Sequence, residues 1–165
     1  FEMANVCLEI NTTRDIGRQI LRHRSFSFQE FSGRYQSFDA LPEADLRECR
    51  LQDTKNRQNS LETDDPILQA QWAIHQQRVA DEAMAAYGWA LEAGIAKEQA
   101  RALLPEGLTP SRLYMNGNMR SWVHYLGQRL HPSTQKEHRQ VAEQALAVLR
   151  TVAPVTTSAF FPERT

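Results

Sequence analysis

The chain begins with alternating apolar and polar residues. Between residues 2 and 10 nearly every second side chain is apolar, which is typical of a strand with one buried face. The apolar positions are Ala4, Val6, Leu8 and Ile10. The next residues, NTTRD, predict the start of a helix, with Thr12 as its cap and Asp15 near the positive end of its dipole.

This predicted helix carries a row of arginines. Arg14, Arg18 and Arg22 recur at intervals of four, so they share one side of the helix while apolar residues take the other. We expect the helix to fray near His23 and to lead into a loop with extended flanks. In that loop, Gly33 would let the backbone approach a ligand closely.

A long helix is predicted in the middle of the chain. The polar, turn-rich residues 52–65 predict a loop, and from Pro66 apolar residues recur every three or four positions. Pro66 and Gly94 stand where helix starts and ends favour them. The predicted apolar face consists of Leu68, Trp72, His75, Val79, Ala83, Ala86 and Ala90. We expect Trp72 and Trp89 to lie in a core or an interface, and His75 to lie in a core.

The rest of the chain predicts four short elements. A short helix stops at Pro105, a brief strand covers residues 113–115, and a helix reaches Arg129. The last helix begins with a capping box at residues 134–137 and ends near Val152. Its histidine, His138, is expected at the surface. The pattern predicts a single α/β domain with a small mixed or antiparallel sheet, a long helix and a helix-rich C-terminal half.

Composition agrees with one globular domain. The chain has 165 residues, of which 41% are hydrophobic and 24% are charged. Its apolar runs are too short to span a bilayer, and its start lacks the features of a signal peptide. Cys7 and Cys49 stand in no metal or redox spacing, as expected of free thiols in a reducing cytoplasm. Because the chain begins with Phe1 in a strand-like pattern, we expect it to be N-terminally incomplete.

The candidate chemistry lies with the arginines. No glycine-rich phosphate loop, zinc-ligand spacing or nucleophile motif is present, and the net charge of −1 argues against a globally basic nucleic-acid binder. From Arg14 to Arg34, however, five arginines face only two acidic residues. Guanidinium groups bind phosphate bidentately and keep their charge.

Aromatic residues stand beside these cations. Phe26, Phe28 and Phe31 lie between Arg24 and Arg34, an arrangement that favours a pocket for an anion and a flat ring. Two alternatives stay open at this point. The arginines could form the phosphate-binding face of a nucleic-acid module, or they could be solvated charges on a helical scaffold.

A longer motif distinguishes among these interpretations of the arginines. Residues 22–35 read RHRSFSFQEFSGRY: Arg-His-Arg, seven residues, Ser32, then Gly-Arg-Tyr. This sequence resembles the signature of the flavin-dependent thymidylate synthases of the ThyX type. Further segments are similar to the same family: KNRQNS (55–60), GIAKEQARALLP (94–105), NMRSWVHYLGQR (118–129) and TQKEH (134–138).

The resemblance implies an enzyme that methylates dUMP to dTMP. It implies FAD as the cofactor, methylenetetrahydrofolate as the carbon donor and NADPH as the reductant. The family's active sites are built at the subunit contacts of a homotetramer, with neither a membrane nor a nucleic acid as partner and no metal. The location implied is the cytoplasm, or the host cytoplasm for a viral protein.

The resemblance also assigns residues position by position. Those matching flavin contacts are Arg22, His23, Arg24, Glu30, Asn118, Arg120 and His124. Those matching dUMP contacts are Gln19, Glu30, Ser32, Gly33, Arg34, Arg101 and Arg129. Arg129 and Ser32 are the candidate catalytic residues: the arginine would stabilise charge on the uracil ring, and the serine would be a ligand rather than a nucleophile.

The chain departs from the family pattern at a few positions. His124 and Gln29 stand where asparagine is usual, and Ser133 stands where histidine is common. The family's N-terminal segment, which includes a histidine near the flavin, does not occur in this sequence. We therefore expect weakened activity from these 165 residues alone.

Overall fold

The computed structural model describes residues 1–34, 45–57 and 59–162. Tyr35 of the arginine motif and Gln58 of KNRQNS lie outside the described residues. The strands are β1 (Asn5–Thr13), β2 (Ser27–Glu30), β3 (Arg50–Gln52), β4 (Ser60–Glu62) and β5 (Pro110–Asn118). The helices are α1 (Arg14–Ile20), α2 (Pro66–Glu92), α3 (Lys97–Ala100), α4 (Met119–Arg129), α5 (Lys136–Val152) and α6 (Pro154–Phe160), and a 3₁₀ helix covers Arg101–Leu103.

Strands β1, β5 and β2 form a three-stranded sheet in that order. The predicted first strand is confirmed with shifted bounds, and Ile10 is buried in it. The brief strand predicted at residues 113–115 is the middle of the nine-residue β5. Burial alternates along β5, with Leu113 and Met115 fully enclosed, as expected for the central strand of a sheet.

The loop predicted at residues 52–65 contains a small hairpin. Strands β3 and β4 pair antiparallel, with Leu51 opposite Leu61. Asp53 stabilises the turn: its carboxylate accepts hydrogen bonds from the backbone N–H of Lys55 at 2.8 Å and of Asn56 at 3.1 Å. The bond from Asn56, more than any other contact, lowers the pKa of Asp53. Short strands beside such a polar turn contain few apolar residues, so the hydrophobic pattern does not reveal them.

The long helix α2 is confirmed, including both of its ends. The Asp65 carboxylate accepts from the N–H groups of Ile67 and Leu68 at 2.9 and 3.1 Å, so it caps the helix. Just beyond the other end, Gly94 has a φ of +79°, the left-handed conformation that favours glycine.

Much of the apolar face predicted for α2 is exposed in the single chain. Trp72 and Val79 are 42% and 50% exposed, and His75, expected in a core, is exposed. Towards the end of the helix, Tyr87 and Ala90 are buried. Among the described residues, only this last part of the predicted face reaches a core.

The first half of α2 contains a buried polar residue, Gln76. The Gln76 amide accepts from the N–H of Arg47 at 2.7 Å and donates to its carbonyl at 2.8 Å. Trp72 Nε1 donates to the same carbonyl at 2.9 Å. These bonds satisfy the Gln76 amide, which explains why a polar side chain is buried here.

Two predictions about helix starts are wrong, whereas the predicted end of α5 at Val152 is confirmed. Thr12 lies within β1 and does not cap α1, which begins at Arg14. Helix α5 begins at Lys136 without a side-chain cap, because the Thr134 hydroxyl donates instead to the carbonyl of Gln128 at 3.2 Å. The chain also continues after Val152 with the unpredicted helix α6, where proline occupies the first turn.

The described residues group into two compact units. The first comprises residues 1–10, 19–29 and those from 114 onwards, and the second comprises residues 11–18 and those from 30 to 113. In the first unit, α4 packs on α5 and α5 on α6. The second unit has a small core of Tyr87, Ala90 and Ala100.

The core of the first unit is built around aromatic rings. Phe26 meets Trp122 edge to face, with 5.0 Å between the ring centroids. The same ring lies against the backbone of Gly117, where a Cβ atom would come within 2.4 Å of it. Both Trp122 and Tyr125 are almost completely buried.

The α/β class, the small sheet, the long helix and the helix-rich C-terminal half are all confirmed. Among the described residues no helix combines the length and apolar character needed to cross a membrane.

Candidate functional site

The predicted site residues are divided between the two units. The first unit contains Gln19, Arg22, His23, Arg24, Asn118, Arg120, His124 and Arg129. The second contains Glu30, Ser32, Gly33, Arg34 and Arg101.

In the first unit, His23 and Arg129 form a direct pair. His23 follows α1 in a turn, and Arg129 is the last residue of α4. The Arg129 Nε–H donates to Nε2 of His23 at 2.9 Å. Because Nε2 accepts this bond, the imidazole carries its proton on Nδ1 and is neutral. The histidine therefore fixes one edge of the guanidinium and leaves the two terminal nitrogens for other partners.

The environment keeps His23 neutral. Burial lowers the pKa of His23 to about 4, and the positive charge of Arg129 lowers it further in the same direction. Protonation would place two cations in contact and break the hydrogen bond. The pair therefore persists at neutral pH.

Two more rings enclose the His23 imidazole. Tyr125 lies edge to face with it at a centroid distance of 4.9 Å, and His138 lies at 6.2 Å. His138, predicted at the surface, is fully buried, so that prediction is wrong. Burial lowers its pKa to about 4, with Arg129 and His23 contributing in turn. Burial likewise raises the pKa of Tyr125.

Gln19 joins this group through its side chain. Its Oε1 lies 3.2 Å from Nδ1 of His138, and its Nε2 donates to Oε1 of Gln135 at 2.8 Å. Four of the residues that match the family pattern therefore lie together with His138. Gln19, His23 and Arg129 are connected to it by side-chain contacts, and Arg22 belongs to the turn that leads to His23.

Arg22 and Arg24 flank His23 and are exposed. Neither side chain forms an ion pair or a hydrogen bond with another residue in the described part of the chain. Two unneutralised guanidinium groups so close together attract an anion.

The remaining residues of the first unit lie at the start of α4. The Asn118 Oδ1 accepts from the N–H of Ser121 at 2.9 Å and caps the helix. Arg120 pairs with Glu2 at 2.6 Å, although both side chains are largely exposed. His124 is exposed one turn further along α4. Since Asn118 uses its oxygen as the cap, its amide NH₂ is the group left to contact a ligand.

In the second unit, Glu30 ends β2 and has a defined orientation. Its Oε1 accepts from the Ser111 hydroxyl at 3.0 Å. The same oxygen lies 3.9 Å from the position that a Cβ on Gly17 would take, which is an ordinary van der Waals distance. After β2, the N–H of Phe31 donates to the carbonyl of Arg112 at 2.8 Å and extends the pairing by one residue.

The run that follows Phe31 passes from the interior to the surface. Ser32 is half-buried, Gly33 is buried and Arg34 is exposed. Arg101 lies elsewhere in this unit, in the 3₁₀ helix, where its Nε donates to the carbonyl of Glu98 at 3.3 Å. Within the described residues no hydrogen bond or ion pair joins Arg101 to residues 30–34, although Phe31 packs against the core that contains Ala100.

Sequence reasoning missed His138, Tyr125 and Gln135. A usable signal was present for His138, because the buried residues of α5 recur at His138, Ala142, Ala145 and Leu149. That spacing places the histidine on the apolar face. Gln135, by contrast, is a polar residue before a helix, and nothing in the sequence distinguishes it.

Comparison with known proteins identifies the relatives of this chain. A family model described as thymidylate synthase complementing protein matches residues 1–155. A flavin-dependent thymidylate synthase from Synechocystis sp. is 47% identical over 159 residues, covering 96% of this chain and 72% of that protein. A probable flavin-dependent thymidylate synthase from Paramecium bursaria Chlorella virus 1 is 48% identical over 142 residues, covering 86% and 64%.

The fold has a solved counterpart. The crystal structure of the UMP/dUMP methylase PolB from Streptomyces cacaoi, bound with 5-Br UMP, aligns with a TM-score of 0.83 and 28% identity, covering 94% of this chain and 73% of that one.

These proteins define a class: the solved counterpart is named a methylase of UMP and dUMP, and the relatives are named thymidylate synthases. Within this class, the chain belongs to the family of flavin-dependent thymidylate synthases, as its arginine motif predicts. It spans about two thirds of the length of its relatives, 72% of one and 64% of another.

Proposed function

We propose that this protein takes part in the reductive methylation of dUMP to dTMP, with FAD as cofactor, methylenetetrahydrofolate as carbon donor and NADPH as reductant. One observation carries the proposal: the His23–Arg129 pair lies beside two arginines without partners in the described residues. A family of flavin-dependent dUMP-methylating enzymes needs such a site, because both FAD and dUMP are anions with flat rings.

The residues around His23 fit a flavin nucleotide. The exposed guanidinium groups of Arg22 and Arg24 suit the pyrophosphate of FAD, which needs fixed cationic donors. Asn118, Arg120, His124 and Glu30 are the further flavin contacts in this proposal. When bound, the flavin supplies the redox chemistry, and the protein supplies binding and orientation.

Arg129 is proposed to act on the uracil ring. His23 holds its Nε–H, so the terminal N–H groups are available to a ring carbonyl that gains negative charge during the reaction. A guanidinium already fixed by a neutral partner requires little reorganisation when that charge develops. In this scheme the Ser32 hydroxyl orients dUMP and does not attack it.

The phosphate of dUMP is assigned to the remaining arginine positions. Gly33 and Arg34 follow Ser32 directly, and a buried glycine allows the backbone N–H groups to approach an anion. Gln19 and Arg101 complete the proposed set of dUMP contacts.

The proposed assembly is a homotetramer with sites at its subunit contacts. Support comes from large apolar side chains exposed on α2, where Ile67, Ile74 and Trp89 are all more than half exposed. Apolar surface of this kind commonly marks an interface. A role in nucleotide synthesis would place the protein in the cytoplasm, or in the host cytoplasm if it is viral.

The first test is the visible spectrum of the purified protein after incubation with FAD and removal of the excess. We expect a retained flavin band that NADPH bleaches faster when dUMP is present. The Arg129→Ala substitution should reduce the stimulation by dUMP about tenfold or more, the effect of losing a charge-assisted hydrogen bond.

A matched control is Arg18→Ala, which removes an arginine on α1 whose exposed side chain pairs with Glu106 and is not among the proposed contacts. It should leave both the flavin band and the response to dUMP unchanged. Wild-type protein that stays colourless with saturating FAD would contradict the proposed function.

A further inference from the structure

A chain of hydrogen bonds runs from the start of α5 to the buried His138. The Gln135 Nε2 donates to the Glu137 carboxylate at 2.9 Å, and the Gln19 Nε2 donates to Gln135 Oε1 at 2.8 Å. The last bond joins His138 Nδ1 and Gln19 Oε1 at 3.2 Å. All four residues belong to the first unit.

The carboxylate at one end determines the direction of the whole chain. An ionised carboxylate can only accept, so Gln135 must turn its NH₂ group towards Glu137 and its oxygen towards Gln19. Gln19 then has to donate with its NH₂ group, and its own oxygen faces His138. The imidazole must therefore donate from Nδ1.

His138 is placed so that it cannot easily change this role. It is fully buried, and its Nε2 has no hydrogen-bond partner among the described residues. A proton moved to Nε2 would have no acceptor there, and Nδ1 would then present a lone pair to the Gln19 oxygen. Burial and the charge of Arg129 lower the pKa of His138 to about 4, so the ring is neutral at physiological pH.

We propose that His138 is a positioning residue for the nucleotide site: its Nδ1–H holds the oxygen of the Gln19 amide at one end of the hydrogen-bond chain, while Glu137 sets the direction of that chain at the other end. In this orientation the Gln19 NH₂ group keeps one N–H for a ligand, after the other has been given to Gln135. An N–H in a fixed position suits an anionic or carbonyl oxygen. The inference rests on the proposed function only in naming dUMP as that ligand.

The first measurement is independent of any ligand. Long-range ¹H–¹⁵N spectra of the purified protein distinguish protonated from bare imidazole nitrogens. At neutral pH we expect His138 to carry its proton on Nδ1 and to show a bare Nε2. The opposite tautomer would overturn the relay, whatever the protein binds.

The second measurement compares two substitutions of similar size. An asparagine side chain can place an N–H near the position of Nδ1, whereas a glutamine places its amide near Nε2. We expect His138→Asn to keep the dUMP dissociation constant within about twofold and His138→Gln to raise it about tenfold, the loss of one hydrogen bond. Retention of FAD should be the same in both, because Gln19 is not among the proposed flavin contacts.

The outcomes separate the two proposals. If the wild type binds FAD but no dUMP, the proposed function fails, while the tautomer still decides whether the relay exists. If the wild type binds dUMP and His138→Gln binds it as tightly, the positioning role of His138 is wrong. A variant that fails to fold, judged by its circular dichroism, leaves the wild-type tautomer as the deciding measurement.

Discussion

At the scale of single residues, the central feature is a neutral histidine that accepts a hydrogen bond from an arginine. His23 and Arg129 come from positions 106 apart in the chain, and the resemblance assigns them to different ligands, flavin and dUMP. In the structure the two side chains are hydrogen-bonded to each other. A substitution of either residue is therefore expected to affect the binding of both ligands. Matching single positions to a family pattern cannot show this coupling, because it assigns each residue to a ligand and says nothing about hydrogen bonds between the residues.

The half-buried His23 and the fully buried His138 make stability depend on pH. The pKa values of His23 and His138 are lowered from 6.5 to about 4, so between these values the unfolded chain binds protons that the folded chain does not. Stability is therefore fully present above pH 6.5 and falls as the pH drops towards 4. The slope is at most about 1.4 kcal/mol per pH unit for each histidine.

Urea unfolding at a series of pH values between 7 and about 4 measures this slope. His138→Asn removes one of the two titrating groups and should flatten the slope by up to one proton. An unchanged slope in this variant would show that His138 does not titrate differently in the folded and unfolded chains.

The two proposed anion sites predict opposite effects of two arginine substitutions. Arg34→Ala should weaken dUMP binding about tenfold or more and leave flavin binding nearly intact, since a charge-assisted hydrogen bond is lost only at the dUMP phosphate. Arg22→Ala should do the reverse. Equal loss of both ligands in either variant, measured by titration with the assembly intact, would contradict this division.

At the scale of helices and strands, the predictions succeeded where local pattern decides and failed where a covering partner decides. Strand β1, helix α4 and both ends of α2 follow from alternation, spacing and punctuation. The face of α2 does not, because burial of Trp72 or His75 depends on what lies against them. The same holds for His138: its spacing places it on the apolar face of α5, but its polarity suggested the surface.

The candidate site shows the same division. The arginine motif is local in sequence, and its family was predicted from the residues alone. The pairing of His23 with Arg129 and the relay through Gln19 join distant segments, which no periodicity encodes. Strand β5 was predicted too short because the residues on either side of 113–115, in 110–112 and 116–118, carry little apolar signal.

The junction of β5 and α4 provides a test of packing. Gly117→Ala would place a methyl group within 2.4 Å of the Phe26 ring, so the aromatic core or the strand must move. We expect a loss of about 1–3 kcal/mol of folding free energy, typical of overpacking. The measurement is chemical unfolding.

Gly127→Ala is the matched control, because it makes the same change within α4 and a Cβ atom there meets nothing within 4 Å. In a helix this substitution should stabilise by up to about 1 kcal/mol. If both variants lost stability equally, the close contact between Gly117 and Phe26 would not be the cause.

At the scale of the whole molecule, the exposed apolar surface of α2 is the feature that one chain does not explain. Ile74 and Trp89 are 66% and 64% exposed, whereas a helix on the surface of a monomer usually keeps such residues inside. The proposed homotetramer would cover them.

Ile74→Glu should therefore break the assembly, because a buried unpaired carboxylate in an apolar contact is costly. Sedimentation velocity would show a smaller species, with the far-ultraviolet circular dichroism unchanged. Ala73→Glu adds the same charge at the neighbouring exposed residue, which projects from a different side of the helix, and tests whether charge alone is responsible. An unchanged sedimentation coefficient for Ile74→Glu would place the interface elsewhere.

Arg47 contributes to more than one element. Its backbone N–H donates to the Gln76 side chain on α2 and its backbone carbonyl accepts from the same side chain, while its guanidinium binds the Asp15 carboxylate at 2.8 Å near the start of α1. Since a glutamine amide has the same donor and acceptor as a peptide, α2 offers Arg47 what a neighbouring strand would. Arg47 therefore connects the two helices. Its amide hydrogen is bonded to Gln76 and exchanges with solvent only when that bond opens. The exchange rate of this amide therefore reports how often Arg47 separates from α2.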